Sequence, residues 1–142
     1  PLEIHKLFPD IHVNGLACPM WVPLVENNEA QDVGADYFIQ KYIDQLLQKD
    51  SQIDTIILGC THYPILFPKI RKYVPEQIHV IPQGEYVASS LKDYLKRHPE
   101  MDAKCTQNGN CRFYTTEAEE KFIESATTFL NRPIEVQRIS LE

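Results

Sequence analysis

The stretch DTIILGCTHYP, residues 54–64, begins as a run of branched apolar side chains and stops at a glycine, a cysteine and, two positions on, a histidine. A short continuous apolar run predicts a β-strand over 53–60, covered on both sides. Pro64 stands where the first turn of a following helix belongs, and Ile65 to Tyr73 supply that helix, with Pro68 bending it or keeping it short. The chain thus puts a nucleophilic thiol, with a titratable neighbour, at the point where a buried strand gives out.

Working outward, residues 2–9 read as the last turns of a helix stopped by Pro9, and IHVNGLAC (11–18) reads as a strand. Pro19 and Pro23 argue against any regular element over 19–26. From Glu29 to Lys49, the residues Ala35, Phe38, Ile39, Tyr42, Ile43, Leu46 and Leu47 recur at helical spacing and define a core-facing stripe. On the other side, QIHVIP (77–82) is a strand, and 84–98 carries Val87, Ala88, Leu91, Tyr94 and Leu95 on one helical face.

A polar loop follows over 98–111, with turn chemistry at Asn108-Gly109-Asn110. CRFYTT (111–116) predicts a strand, and Thr116 with Glu119 predicts a capping box opening a helix through Phe122, Ile123, Ala126, Phe129 and Leu130. IEVQRISL (134–141) is the closing strand. Strands alternating with helices imply an α/β fold, a mostly parallel sheet flanked by helices on both faces. In such sheets the chemistry lies outside the carboxyl ends of the strands, and Cys60 falls at one such end.

The 142 residues suit one domain or a piece of something larger. The first residue is Pro1 and no glycine-rich opening strand precedes the first helical pattern, which reads as a chain cut from a longer one. With 43% hydrophobic and 24% charged residues, the chain can bury a core. The formal charge of −6 and scattered basic residues, with Lys69, Arg71 and Lys72 the nearest to a cluster, argue against nucleic-acid binding. No apolar run approaches the roughly 20 residues that span a bilayer, and no signal peptide is recognisable, so a membrane role is not expected. Four cysteines, Cys18, Cys60, Cys105 and Cys111, are few for a disulfide scaffold and suggest free thiols in a reducing cytoplasm.

At a strand-to-helix junction, free backbone N–H groups and the positive end of a helix dipole favour thiolate over thiol. Cys60 with His62 therefore suits a base or a nucleophile. A cysteine phosphatase needs an arginine six residues after its cysteine, and that position holds Leu66. Zinc takes four ligands and the Cys-x-His pair supplies two, so no metal site is expected. Proton transfer at carbon and acyl transfer by a thiolate both stay open on the residues alone. Cys18 reads as packed, Cys105 and Cys111 as flanking a loop, and Trp21 as a packing anchor. His5, His12, His79 and His98 have no carboxylate or cysteine at useful spacing.

LGCTHYP (58–64) resembles the second cysteine motif of the glutamate racemases, and ACPMWVPLVE (17–26) resembles the other hallmark of that family's second half. IPQGEYVA (81–88) and FYTTEAEEKF (113–122) are similar to its closing segments, so the likeness covers effectively the whole chain. Related aspartate racemases usually carry glutamate where this chain has His62, which favours the glutamate branch over other members of the aspartate/glutamate racemase superfamily.

The resemblance implies cofactor-independent interconversion of L- and D-glutamate by two bases on opposite faces of Cα, supplying D-glutamate for peptidoglycan, cell-wall biogenesis and cell shape. It implies Cys60 as the base on the L-glutamate face, His62 assisting its proton transfers, and Glu26 orienting that histidine and the substrate ammonium. Thr61 would help hold the substrate carboxylate. The family's first cysteine and its early Asp-Ser pair lie in the amino-terminal half, and nothing in this chain matches them. Cys18 stands where the family has a structural cysteine. The implied molecule is an incomplete two-domain enzyme: residues 1–83 form most of the second domain, and 84–142 return to the first. Alone, such a portion is expected to lack turnover, a folded non-catalytic piece whose partners are glutamate, the missing amino-terminal half and, for its exposed apolar surface, a second copy of itself.

Overall fold

In the computed structural model, which describes residues 2–141, the chain runs through α1 (Leu2–Leu7), α2 (Trp21–Glu26), α3 (Val33–Leu47), β1 (Thr55–Leu58), a 3-10 turn (Tyr63–Leu66), α4 (Phe67–Tyr73) and β2 (His79–Pro82). It continues through α5 (Gln83–Arg97), α6 (Pro99–Asp102), β3 (Phe113–Thr115), α7 (Glu119–Leu130) and β4 (Val136–Arg138). It divides after Gln83 into two units. Each holds a two-stranded parallel sheet, β1 with β2 in the first and β3 with β4 in the second. The fold is α/β with parallel strands, as the alternating pattern requires.

In the first unit the register pairs Thr55 with His79 and Leu58 with Pro82, so both strands end side by side just ahead of Cys60. Ile56 and Leu58 point into the core while Ile57 is 53% exposed, so β1 is covered on one face among the described residues, not on both as the apolar run predicts. The period-two alternation of a half-buried strand is satisfied by side chains that all read as apolar in the sequence. The covered face packs on α3 through Ala35, Ile39 and Ile43, and on Leu66, Ile70 and Val74 around α4. Ile39, Ile43, Leu58, Leu66 and Ile70 are each essentially excluded from solvent. Each such burial is worth about 1.5–3 kcal/mol.

Residues 11–18 form no strand, because among the described residues no ladder partner lies beside them. Side chains tether the segment instead: Lys49 Nζ donates to the Gly15 carbonyl (2.7 Å) and Asn14 Nδ2 to Asp50 (3.2 Å). Residues 21–26, expected to be irregular, are helical. Pro23 is the third residue of α2, in the first turn, where its missing N–H would have had no intrahelical partner. Helix α3 starts at Val33, four residues later than its apolar pattern suggests, and the expected helix over 65–73 splits into the 3-10 turn and α4, with Pro68 near the start of the latter.

In the second unit the predicted capping box is absent. Helix α7 starts at Glu119, whose Oε1 accepts from the Arg138 backbone N–H (2.7 Å), so the carboxylate binds β4 and not its own helix start. Thr115 Oγ1 instead accepts from the Glu117 N–H (3.1 Å). Asn131, in the left-handed region at φ 49°, ends α7, and Asn108 and Gly109 make the expected turn with φ of 80° and 62°. Helices α5 and α7 bury no residue, and the stripe on α5 leaves Val87, Leu91 and Tyr94 exposed.

Polar ties lock the helices of the first unit. Asp36 on α3 accepts from Lys69 Nζ (3.0 Å) and from the Tyr73 hydroxyl (3.0 Å), both on α4. Lys69 also donates to the Asp32 carbonyl (2.6 Å). Arg71 donates to the Val74 and Ile78 carbonyls (2.8 and 2.7 Å), which fixes the connection from α4 into β2. The Lys69 hydrogen bond, reinforced by Tyr73 and by the charges of Lys69 and Lys72, holds the Asp36 carboxyl below the usual carboxylate range. A folded-state value below the unfolded one stabilises above the unfolded pKa of about 4, and that stabilisation is lost as pH falls through the folded value. Asp36→Asn should therefore lower the thermal midpoint by a few degrees at pH 7, with the gap from the parent chain shrinking as pH falls below about 4. A gap that persists unchanged at low pH would contradict the charged tie.

Candidate active site

The site is built on the carboxyl end of β1. Leu58, buried, anchors the strand, and beyond Gly59 the chain turns through Cys60, Thr61 and His62 into the 3-10 segment. The Tyr63 N–H donates to the Cys60 carbonyl (3.3 Å) and the Ile65 N–H to the His62 carbonyl (3.1 Å), which close the turn. A 3-10 turn therefore follows the cysteine directly, where the sequence pattern predicts the start of an α-helix.

His62 is held from across the unit. Its Nε2 hydrogen bonds to Glu26 Oε1 at the end of α2, with the histidine side chain 21% exposed and the carboxylate 49%. Helix α2 is seated by Trp21, Leu24 and Val25, all buried, and Trp21 Nε1 donates to the Phe38 carbonyl of α3 (3.4 Å). Its far end is closed by Asn27, whose side chain donates to the Pro23 carbonyl (2.8 Å). Glu26 thus projects from a short helix fixed at both ends.

With Nε2–H donating to the carboxylate, the singly protonated imidazole keeps a lone pair on Nδ1. That nitrogen faces Cys60 Sγ at 3.9 Å and Thr61 Oγ1 at 3.4 Å. A thiol donates weakly, and a neutral Nδ1 is the acceptor it needs. The order carboxylate, imidazole, thiol lets Cys60 pass its proton to His62 and stand as thiolate, while Glu26 stabilises the imidazolium that results. Thr61 is exposed at the mouth of the turn.

All four residues singled out by sequence, Cys60, Thr61, His62 and Glu26, meet in one place within the first unit. Cys18 lies beside this place but differs in chemistry. Burial pushes its thiol up to about 11, with a hydrogen bond from Tyr63 opposing in part, so it is a packed thiol at neutral pH. Cys105 and Cys111 are exposed thiols in the second unit. Among the described residues no three His, Cys, Asp or Glu side chains gather where they could hold a metal ion. No described helix is long and apolar enough to cross a membrane. Sequence reasoning missed Tyr63, whose N–H donates to the Cys60 carbonyl and whose ring packs on Trp21; its place inside the CTHYP turn was the available signal.

No family model matches the chain. Curated relatives do: the glutamate racemase of Listeria monocytogenes serotype 4b is 35% identical over 142 residues, covering 99% of this chain and 52% of that protein. Solved structures agree. A glutamate racemase isoform of Bacillus anthracis superposes with a TM-score of 0.82 at 30% identity, over 97% of this chain and 50% of that one. The glutamate racemase of Francisella tularensis, solved with D-glutamate, gives 0.81 at 27% identity, over 98% of this chain and 51% of that one. Sequence and fold together place the chain among amino-acid racemases of α/β architecture. It belongs to the glutamate racemase family and corresponds to its carboxyl-terminal portion. The chain spans about half the length of the curated relatives it matches.

The Glu26–His62–Cys60 line predicts a thiol whose reactivity depends on its neighbours. His62→Asn should slow alkylation of Cys60 by iodoacetamide at neutral pH by roughly tenfold, and Glu26→Gln should slow it less. Site-resolved mass spectrometry reads both, with Cys105 and Cys111 as references whose rates should not change. Equal rates at Cys60 in His62→Asn and parent would contradict the arrangement.

Proposed function

We propose that the chain carries one half of a two-base glutamate racemase site, with Cys60 as the base that works on the L-glutamate face. The observation that carries this reading is the hydrogen-bonded line from Glu26 through His62 to the Cys60 thiol. Support also comes from the relatives named glutamate racemase and from the Francisella structure that holds D-glutamate.

The chemistry asks for no cofactor. The Cys60 thiolate removes the weakly acidic Cα proton, becoming a thiol, and the electron pair left on Cα is delocalised into the adjacent carboxylate. A second thiol on the opposite face, from the amino-terminal half of the family's enzyme, then delivers its proton to Cα and ends as thiolate. Configuration inverts, and one proton has moved from carbon to sulfur while another has moved the other way. His62 takes up the Cys60 proton to prepare the thiolate before each L-to-D turn. Glu26 keeps the ring oriented and offers a carboxylate to the substrate ammonium, and Thr61 offers its hydroxyl and backbone N–H to a substrate carboxylate. The product would feed peptidoglycan synthesis in the cytoplasm, where these thiols stay reduced.

Residues 1–83 would then form most of the second domain of the enzyme, and 84–142 the segment that returns to the first. The bare apolar stripe of α5, with Val87 60% and Leu91 55% exposed, is what a helix made to pack on another sheet would present. By themselves the 142 residues should not exchange the Cα proton of L-glutamate in deuterated water. Exchange followed by NMR should appear when an amino-terminal racemase half bearing the first cysteine is added, and Cys60→Ser should abolish it, a loss of at least about 100-fold. Robust racemisation by the chain alone, or activity indifferent to Cys60→Ser, would overturn the split-site reading.

A further inference from the structure

The Nδ1 atom of His62 meets two donors. With Nε2–H given to Glu26, Nδ1 carries a single lone pair, and both the Cys60 thiol (3.9 Å) and the Thr61 hydroxyl (3.4 Å) reach it. One lone pair accepts one good hydrogen bond, and both contacts are long, as sharing requires. The hydroxyl is the stronger of the two donors, because a thiol donates weakly. While Thr61 directs its proton at Nδ1, the ring is a poorer acceptor for the proton of Cys60. Thr61 is also exposed at the mouth of the turn, where its hydroxyl is open to an incoming ligand.

We propose that the Thr61 hydroxyl gates the Cys60–His62 pair: it occupies Nδ1 in the substrate-free site, and a substrate carboxylate that takes its proton hands Nδ1 over to the thiol. The proposal rests on the reading of Cys60 as a base and of Thr61 as a ligand for the substrate carboxylate. A hydroxyl has one proton to donate, so its bond to a carboxylate and its bond to Nδ1 exclude each other. The carboxylate wins, because a charge-assisted hydrogen bond is about twice as strong as a neutral one. Once the hydroxyl has turned away, the Cys60 S–H bond breaks, an N–H bond forms at Nδ1, and Glu26 faces the imidazolium. The thiolate is thus prepared when glutamate is present to be deprotonated. One hydrogen bond of ordinary net strength moves such an equilibrium by roughly two- to tenfold. Of the other titratable groups about the turn, Glu26 engages the opposite ring nitrogen. Burial pushes the Cys18 thiol up to about 11 and raises the Tyr63 hydroxyl, so both stay protonated at neutral pH.

Thr61→Val keeps the branched shape and removes the hydroxyl at an exposed position, so the thermal midpoint should stay within about 2 °C. In the substrate-free 142-residue chain, this variant should raise the rate of Cys60 alkylation by iodoacetamide at neutral pH at least about threefold, read by site-resolved mass spectrometry. The pH profile should move down by about 0.5 with its high-pH plateau kept, which separates a change in ionisation from a change in access. Thr61→Ser, which keeps a hydroxyl, should stay within about twofold of the parent, and the exposed Cys105 and Cys111 should react as before. A Cys60 rate that falls or does not move in Thr61→Val, or a rise shared by Thr61→Ser, would overturn the gate. With an amino-terminal racemase half added, the His62 Nδ1 nitrogen shift should differ between parent and Thr61→Val without substrate and coincide in saturating L-glutamate. A difference that persists with L-glutamate would overturn the hand-over. A Cys60 profile unmoved by His62→Asn would instead overturn the base assignment, so the failures are distinguishable.

Discussion

The hydrogen bond from His62 to Glu26 is the constraint on which the site depends. It joins the end of α2 to the turn after β1 across 36 residues of sequence, and it decides which imidazole nitrogen is left to face the thiol. Without it the ring could present N–H to Cys60, and a donor facing a thiol cannot take up its proton. The carboxylate itself is half exposed, so its precision comes from the helix beneath it. That helix is six residues long and would not persist alone; three buried side chains and the indole bond to Phe38 keep it in place.

The rest of the first unit serves to hold β1 and α2 at fixed relation. Parallel register brings the ends of β1 and β2 level, Arg71 closes the return from α4, and the Asp36 ties clamp α4 to α3. The apolar core runs without a break from Trp21 through Ile39 and Leu58 to Ile70. The second unit is built differently. Its three helices bury no residue, and its sheet is a pair of three-residue strands, with β4 tied to α7 by the Arg138 N–H donated to Glu119. The chain thus concentrates its packing in the first unit and leaves the apolar stripe of α5 bare in the second.

Much of this was legible in the sequence because the strongest signals are local. The helical stripe from Ala35 to Leu47, the strand ahead of Cys60 and the Asn108-Gly109 turn each follow from spacing or from one residue's backbone preference. Errors fell where long-range partners decide. Residues 11–18 look like a strand, yet a strand exists only with a neighbour to pair with. Pro23 looks like a breaker, yet in a first turn it breaks nothing. Ile57 looks buried, but which face of β1 is covered depends on what packs there. The capping box failed because Glu119 found a backbone N–H in β4, nineteen residues on. At the site, the sequence motifs singled out Cys60, Thr61, His62 and Glu26, while Tyr63 escaped notice because what its ring packs on, Trp21, lies 42 residues away in sequence.

The most direct measurement is the protonation pattern of the His62 ring. Nitrogen NMR of the chain labelled at histidine, with the His62 resonances assigned by their loss in His62→Asn, distinguishes the two nitrogens. At a pH where the ring carries one proton, the proton should sit on Nε2, hydrogen bonded to Glu26, with Nδ1 showing the shift of an unprotonated acceptor. Glu26→Gln should weaken that preference. A ring protonated at Nδ1 and bare at Nε2 would contradict the arrangement and remove the acceptor that Cys60 requires.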